Sequence, residues 1–115
     1  MANILGPDKW LDKGGSLSSP SDTYTLIMQE DGNLVLYRVK DNQPLWASYT
    51  NGQDVKGAIM QEDGNLVVYD PNSHPVWASG TDGKGRSFLV LQDDGNLVIY
   101  TSETDAPVWA SNTAQ

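Results

Sequence analysis

The chain has 115 residues, the length of one ordinary domain, and carries 15 acidic against 7 basic side chains, which gives a formal net charge of -8. This acidic balance argues against nucleic acid and anionic lipid as main partners, because both reward clustered cations, and no apolar run approaches the roughly 20 residues that cross a bilayer. Cysteine is absent and histidine occurs once, so disulfides, thiolate nucleophiles and histidine-rich metal sites are excluded.

The first 20 residues precede the regular part of the sequence. They match neither of the two repeated blocks described below, although Trp10 and Leu11, followed by Gly14 and Gly15, could open the first repeat unit. We treat residues 1–20 as an N-terminal strand region of a single domain that covers residues 1–115. Trp10 breaks the pattern, and the sequence assigns it no role.

Two sequence blocks recur three times in the rest of the chain. The first, Gln-acidic-Asp-Gly-Asn-Leu-Val-aliphatic-Tyr, occupies residues 29–37, 61–69 and 92–100. The second, Pro-x-Trp-Ala-Ser, follows at residues 44–48, 75–79 and 107–111. Two blocks that keep the same order three times indicate internal triplication, with repeat units at about residues 21–51, 52–82 and 83–115.

Each unit is predicted to consist of short strands. Runs such as 25–28 and 88–91 precede the first block, and the block itself ends in branched and aromatic residues, as at 34–37. Glycine and proline recur between these runs at spacings that suit short strands and turns, and no segment shows a sustained helical period. The sequence therefore predicts an all-β domain.

The Asp-Gly pair inside each first block leaves two kinds of turn to compare. A two-residue hairpin would place Glu30 opposite Asn33, whereas a three-residue loop pairs Gln29 with Asn33 and puts Gly32 in the left-handed conformation. We prefer the three-residue loop because it sorts the side chains of both strands cleanly between two faces. The face predicted to form the core carries Leu26, Met28, Leu34, Leu36, Ala58, Met60, Leu66, Val68, Leu89, Leu91, Leu97 and Ile99.

The opposite face forms a polar and aromatic patch that burial alone does not require. In the first unit it combines the amides of Gln29 and Asn33, the carboxylate of Asp31, the methyl groups of Val35 and the phenol of Tyr37. Amides donate and accept hydrogen bonds, and a carboxylate accepts them strongly from hydroxyl groups. This set suits a neutral hexose, whose hydroxyls donate and accept and whose ring carbons offer an apolar face. It suits phosphate poorly, because it contains an anion and no cation.

The spacing Gln-x-Asp-x-Asn-x-Val-x-Tyr, present three times and followed each time by Pro-x-Trp-Ala-Ser, resembles the bulb-type, monocot mannose-binding lectin family over about residues 24–113. The resemblance implies a β-prism II fold, in which three four-stranded antiparallel sheets surround a pseudo-threefold axis. It also implies one mannose at each motif, with the Gln, Asp, Asn and Tyr side chains bound to sugar hydroxyls, including the axial O2, and the Val packed on ring carbons. The implied carbohydrate-binding residues are Gln29, Asp31, Asn33, Val35, Tyr37, Gln61, Asp63, Asn65, Val67, Tyr69, Gln92, Asp94, Asn96, Val98 and Tyr100.

The sequence departs from the family in its cysteine content. Many secreted plant members carry an internal disulfide with one cysteine just before the Asn of the first motif, where this chain has Gly32. The chain is therefore similar to cysteine-free nucleocytoplasmic or non-plant relatives. Because residues 1–6 also lack a basic segment followed by an apolar stretch, we expect a cytoplasmic location, with secretion by a non-classical route still open.

Other interpretations of the repeated residues lead to different conclusions. In a purely structural interpretation, Asp31 and its equivalents cap turns and the amides cross-link a hairpin, which leaves the repeated Gln, Val and Tyr unexplained. Paired carboxylates such as Glu30 and Asp31 could serve a glycoside hydrolase, but these two are adjacent on a tight, wet turn and the third copy replaces Glu by Asp93. Calcium binding fails as well, because the loop lacks a downstream bidentate Glu and supplies too few oxygens.

The sequence as a whole predicts a non-catalytic lectin for mannose and mannose-containing glycans, with up to three sites per chain and no cofactor or metal. The alternative is a β-prism scaffold used for protein–protein interaction, with lost or weak sugar binding. Trp46, Trp77 and Trp109 are predicted to meet near the prism axis as core rather than to stack on sugar. His74, in a turn between prolines, is predicted to be solvated.

The end of the chain bears on the oligomeric state. Residues 109–113 repeat a segment that elsewhere leads into the next unit, but only two residues follow here. We expect this strand either to close back on the first sheet or to be exchanged with a partner. The resemblance favours exchange, and thus a homodimer.

Overall fold

The computed structural model describes residues 2–115 and places twelve β-strands along them. The strands are β1 Ile4–Leu5, β2 Lys9–Asp12, β3 Ser16–Ser18, β4 Tyr24–Met28, β5 Leu34–Arg38, β6 Gln43–Ala47, β7 Gly57–Met60, β8 Leu66–Tyr69, β9 Pro75–Ala78, β10 Ser87–Leu91, β11 Leu97–Thr101 and β12 Pro107–Ala110. Nowhere in residues 2–115 does a helix reach the length and apolar character needed to span a bilayer.

The strands form three four-stranded antiparallel sheets, and each repeat unit contributes three strands to one of them. The strand order is β3-β4-β5-β6 in the sheet of the first unit, β2-β7-β8-β9 in that of the second and β1-β10-β11-β12 in that of the third. In each sheet the hairpin of the first sequence block supplies the two central strands, and the second block supplies an edge strand. The predicted arrangement of three four-stranded sheets is confirmed.

The first 20 residues supply the fourth strand of every sheet. β1 pairs with β10, β2 with β7 and β3 with β4, so the N-terminal segment visits the third, the second and then the first sheet. The expectation that Trp10 and Leu11 open the first unit is therefore wrong, since both lie on β2 in the sheet of the second unit. One leucine of each short strand is buried against a core residue of its sheet, in the pairs Leu5 with Leu89, Leu11 with Ala58 and Leu17 with Leu26.

The hairpin loop of each first block has the predicted three-residue form. The N–H of Gln29 donates to the carbonyl oxygen of Asn33 at 2.9 Å, and the N–H of Gly32 donates back to the carbonyl oxygen of Gln29 at 3.0 Å. Gly32 has a φ of 95°, a left-handed value that glycine adopts without the steric penalty of a side chain. The loops of the second and third units repeat this pattern, with φ values of 95° at Gly64 and 92° at Gly95.

The hydrophobic core lies between the inner faces of the three sheets. All twelve residues predicted for the core face are at most 1% exposed, which confirms the sorting of faces that the three-residue loop implied. Because each strand alternates between the two faces, the same register places the polar and aromatic residues of the first block on the outside.

The three tryptophans of the second block meet one another at the edge strands β6, β9 and β12. Their ring centroids are 5.4 Å apart for Trp46 and Trp77, 5.4 Å for Trp46 and Trp109, and 5.9 Å for Trp77 and Trp109. The interplanar angles of 72° to 78° give edge-to-face contacts, an arrangement that aromatic rings favour. The rings are half-buried and pack against the core, so the prediction that the three tryptophans meet one another is confirmed, and they border the core rather than lie inside it.

The C-terminal strand pairs within its own unit. β12 pairs with β11, and the following residues continue along the same hairpin, with the N–H of Ser111 bonded to the carbonyl of Leu97 at 2.8 Å and that of Gln115 to the carbonyl of Asp94 at 2.6 Å. The expected closure of this strand on the first sheet is therefore wrong, although Arg38 of that sheet donates a hydrogen bond to the Gln115 side chain at 3.1 Å. Exchange between two chains stays a prediction.

His74 lies exposed on the turn between β8 and β9, as predicted. Its backbone N–H donates to Asp70 Oδ1 at 2.8 Å. This hydrogen bond, together with one from the N–H of Asn72 at 2.9 Å, lowers the pKa of the Asp70 carboxyl below its ordinary value. The histidine therefore belongs to a turn-stabilising cluster on the surface.

Candidate functional site

Each sheet carries one group of motif side chains on its outer face, around the hairpin loop of the first block. We call each group a cup and number the cups by repeat unit. The first cup consists of Gln29, Asp31, Asn33, Val35 and Tyr37, the second of Gln61, Asp63, Asn65, Val67 and Tyr69, and the third of Gln92, Asp94, Asn96, Val98 and Tyr100. The structure thus brings the fifteen predicted residues together in three sets of five.

The aspartate of each cup shapes the loop from which the cup is built. Asp31 Oδ1 accepts a hydrogen bond from the backbone N–H of Asn33 at 2.9 Å, and the second and third cups show the same bond at the same length. A side chain that accepts from the backbone two residues later is typical of aspartate in turns. The structural interpretation, in which this aspartate stabilises the turn, is therefore correct, and the backbone bond uses only one of its two carboxylate oxygens.

The asparagine of each cup is anchored through its carbonyl oxygen. Asn33 Oδ1 accepts from the backbone N–H of Thr50 at 3.1 Å and from the hydroxyl of Ser48 at 3.4 Å. Asn65 and Asn96 accept from Thr81 and Thr113 in the same way, both at 3.2 Å. Because these donors fix which end of the amide is oxygen, the NH2 end is the one directed away from the linker, where it can donate to a ligand.

A pair of hydroxyls holds the linker after the second block against each cup. Ser48 Oγ accepts from the backbone N–H of Leu34 at 3.0 Å and lies 2.8 Å from Thr50 Oγ1, which donates to the carbonyl of Gly32 at 2.5 Å. The same contacts recur at Ser79 with Thr81 and at Ser111 with Thr113. The threonines were not predicted as part of the site, although Ser-x-Thr recurs at 48–50, 79–81 and 111–113 and was a signal for them.

The glutamine and tyrosine of each cup are hydrogen-bonded to each other across the hairpin. In the first cup the Tyr37 hydroxyl donates to Gln29 Oε1, and Gln29 Nε2 lies 3.2 Å from both carboxylate oxygens of Asp31. In the second and third cups the glutamine amide instead donates to the hydroxyl of Tyr69 or Tyr100. The polar groups of each cup are therefore held in place before any ligand binds, which lowers the ordering cost of binding.

A cleft of about 480 Å³ opens over the first cup, within the roughly 300–1,000 Å³ typical of small-ligand sites. Val35 lines it but is only 2% exposed, so its methyl groups form the floor rather than a projecting contact. Strand β6 and the linker after it also line the cleft, and their part in the site was not predicted from the sequence. The additional lining residues are Pro44, Leu45, Trp46, Ala47, Tyr49 and Asn51.

Trp10 lies on the outer face of the second sheet, beside the second cup. The Trp10 ring centroid is 6.2 Å from that of Tyr69, and Lys56 Nζ lies 4.6 Å from the centroid of the indole ring. A lysine at this distance over an aromatic face makes a cation–π contact. Because Ser16 and Ile4 occupy the corresponding places in the first and third sheets, the three cups have different neighbours.

The acidic pair in the third loop does not favour acid catalysis. Asp93 accepts hydrogen bonds from Ser21, from its backbone N–H at 3.0 Å and its hydroxyl at 2.8 Å. These bonds lower the pKa of the Asp93 carboxyl below its ordinary value, and a carboxyl held ionised in this way is a poor proton donor at neutral pH. This argues against the hydrolase interpretation of the paired carboxylates.

Three antiparallel sheets of this order, each with a cup of amide, carboxylate and phenol groups on its outer face, define the class of β-prism II lectin folds. No family model matches the chain. A B-type lectin, plumieribetin from Scorpaena plumieri, is 42% identical over 53 residues, which are 46% of this chain and 44% of that protein. The matched parts span less than half the length of the curated relatives.

Solved structures match the whole chain. A monomeric monocot mannose-binding lectin from Gastrodia elata is 42% identical with a TM-score of 0.90, and the match covers 99% of this chain and 100% of that one. The mannose-specific agglutinin from snowdrop, Galanthus nivalis, in complex with methyl-α-D-mannoside, is also 42% identical, with a TM-score of 0.79 and 98% of both chains covered. The chain belongs to the bulb-type, monocot mannose-binding lectin family.

Proposed function

We propose that this protein is a non-catalytic lectin that binds mannose and mannosides, with one sugar in each of its three cups. The observation that carries the proposal is the anchoring of each repeated asparagine through its carbonyl oxygen, which leaves the NH2 group as the end that can donate to a ligand. The likeness to the snowdrop agglutinin, whose structure contains methyl-α-D-mannoside, supports mannose as the sugar.

The groups of a cup match the needs of a neutral sugar one by one. The asparagine NH2 donates to a hydroxyl oxygen, and the aspartate carboxylate accepts from a hydroxyl hydrogen. The tyrosine and glutamine supply further partners from the opposite strand, and the valine floor faces the ring carbons. A shallow site of this kind is expected to bind with a dissociation constant near 1 mM, about 4 kcal/mol, so useful strength depends on several cups engaging a branched glycan.

The decisive test is the triple substitution Asn33→Asp, Asn65→Asp and Asn96→Asp. Aspartate keeps the oxygen that accepts from the linker but replaces the NH2 donor by a negatively charged acceptor, so the fold should persist while binding of methyl-α-mannoside is lost. Binding is measured by NMR titration, in which the side-chain NH2 signals of the three asparagines report each cup of the wild type separately. Backbone amide signals of the three loops serve the same purpose in the variant.

A matched control adds negative charge without touching a cup. Asn72→Asp, on an exposed turn outside the cups, should bind the sugar like the wild type. If the triple variant still binds methyl-α-mannoside as the wild type does, or if saturating sugar moves no loop signal of the wild type, the proposed function is wrong.

The homodimer formed by C-terminal strand exchange is a further part of this proposal. Exchange would replace the pairing of β12 with β11 of its own chain by the same pairing with β11 of a partner chain. The exchanged strand would then have to form, on the partner, the backbone hydrogen bonds that residues 111–115 make within their own chain. The similar lectin from Gastrodia elata is monomeric, so a monomer is the alternative to the exchanged dimer. Light scattering should give twice the chain mass of 12.5 kDa for the exchanged dimer, and a single chain mass at all concentrations would exclude it.

The cytoplasmic location expected from the sequence also stays a prediction.

A further inference from the structure

Tyr49 is unusual both in its backbone conformation and in its exposure. Its backbone has a φ of 59°, its side chain is 84% exposed, and it is an aromatic residue in a conformation that bulky side chains rarely adopt. The equivalent residues, between the serine and threonine of the other two units, are Gly80 with a φ of 75° and Asn112 with a φ of 60°. Glycine and asparagine are the residue types that tolerate this conformation, so tyrosine is the exception among the three units.

Hydrogen bonds of the residues before and after Tyr49 hold its backbone in this conformation. The N–H of Ser48 donates to the carbonyl of Leu34 at 2.9 Å, and the N–H of Thr50 donates to Asn33 Oδ1 at 3.1 Å. Both neighbours are buried, whereas the Tyr49 side chain contributes nothing to the core. Since a left-handed conformation is strained for tyrosine and the exposed ring adds no burial, folding alone does not explain this residue.

The position of Tyr49 places its ring beside the first cup. Tyr49 and Asn51 line the same cleft as the first cup, on the side of the linker that follows β6. The residues equivalent to Asn51 are Asp82 and Ala114, so neither of the other units combines an aromatic ring with an amide at these two places. The first cup therefore has a wall that the second and third cups lack.

The chemistry of this wall fits a second sugar ring. An exposed aromatic face offers a large rigid apolar surface for the C–H face of a pyranose, and the neighbouring amide can both donate to and accept from its hydroxyls. We propose that Tyr49 and Asn51 form a subsite for the next sugar of a mannoside, which makes the first cup selective for a disaccharide unit over a single mannose. This inference rests on the proposed function and adds that the three cups differ in specificity.

The test compares one sugar with two at each cup separately. Methyl-α-mannoside and the α1,2-, α1,3- and α1,6-linked mannobioses are titrated in turn, while the side-chain NH2 signals of Asn33, Asn65 and Asn96 are followed by NMR. At least one mannobiose should bind the first cup about fivefold more tightly than methyl-α-mannoside, the size expected of one aromatic contact, while the second and third cups show no such preference.

The variant Tyr49→Asn installs the residue that the third unit carries in the same conformation. It should abolish the disaccharide preference of the first cup, so that the best mannobiose and methyl-α-mannoside bind there with affinities within about twofold of each other. Asn112→Gly is the matched control, because it makes a comparable exchange beside the third cup, and it should leave the preference of the first cup intact.

The outcomes separate this inference from the proposed function. If the first cup binds methyl-α-mannoside but shows no preference for any mannobiose, or keeps its preference in Tyr49→Asn, the subsite is refuted and the lectin function stands. A signal of Asn33 that responds to none of the four sugars refutes both. An equal preference at all three cups also refutes the subsite, because Gly80 and Asn112 cannot supply an aromatic wall.

Discussion

Two glycines near the first cup have the same left-handed backbone conformation but different surroundings. Gly32 and Gly52 both have positive φ values, 95° and 86°. A Cβ atom on Gly32 would lie 2.1 Å from the carbonyl oxygen of Gln53 and 2.9 Å from that of Thr50, whereas a Cβ atom on Gly52 would meet nothing within 4 Å. The hairpin loop and the linker therefore approach each other at Gly32 more closely than any side chain permits.

This difference predicts unequal effects of the same substitution. Gly52→Ala should lower the free energy of unfolding by about 1 kcal/mol, the penalty of a left-handed alanine. Gly32→Ala adds a clash with backbone atoms that cannot rotate away, so it should cost more than about 3 kcal/mol and displace the linker from the first cup. Urea denaturation of the two variants measures both values, and equal losses would show that the close approach at Gly32 does not matter.

The hairpins of the first block were predictable because all the information is local. Their core and cup residues alternate along adjacent strands, and the glycine in the loop fixes which residues pair. The cups followed from the same register, since Gln29, Asn33 and Tyr37 share a face only if the loop has three residues. The prediction thus depended on a turn type that a short sequence can specify.

The N-terminal strands were not predictable in the same way. Strands of two to four residues are too short to show an alternating pattern, and β1 and β2 pair with strands far away in the chain. The signal was a different one: Leu5, Leu11 and Leu17 follow one another at intervals of six residues, one for the core face of each sheet. Likewise, the strained backbone of Tyr49 arises from hydrogen bonds of its neighbours to another segment, which the sequence does not display.

The three units act as one body because the N-terminal segment crosses all of them. It contributes a strand to each sheet, and beyond β3 the N–H and hydroxyl of Ser21 bind the carboxylate of Asp93 in the loop of the third cup. The contact joins segments 72 residues apart, so it closes the ring between the start of the first unit and the third. Each cup is local in its chemistry, but the spacing between cups depends on such connections.

The Ser21–Asp93 contact predicts how stability responds to acid. Its hydrogen bonds lower the pKa of Asp93 in the folded protein relative to the unfolded chain, so between these two values the unfolded state binds more protons. The stabilisation is therefore fully present above the ordinary aspartate pKa of about 4 and is lost as the pH falls through the lowered value of the folded state.

Asp93→Asn removes the titration, so the difference in the free energy of unfolding between wild type and variant should be largest near neutral pH and shrink below about pH 4. Urea midpoints across this range measure the gap, with Asp82→Asn, an exposed aspartate on another loop, as the control for net charge. A gap for Asp93→Asn that stays constant with pH, or that follows the Asp82→Asn curve, would mean that the link between the first and third units does not depend on the ionised carboxylate.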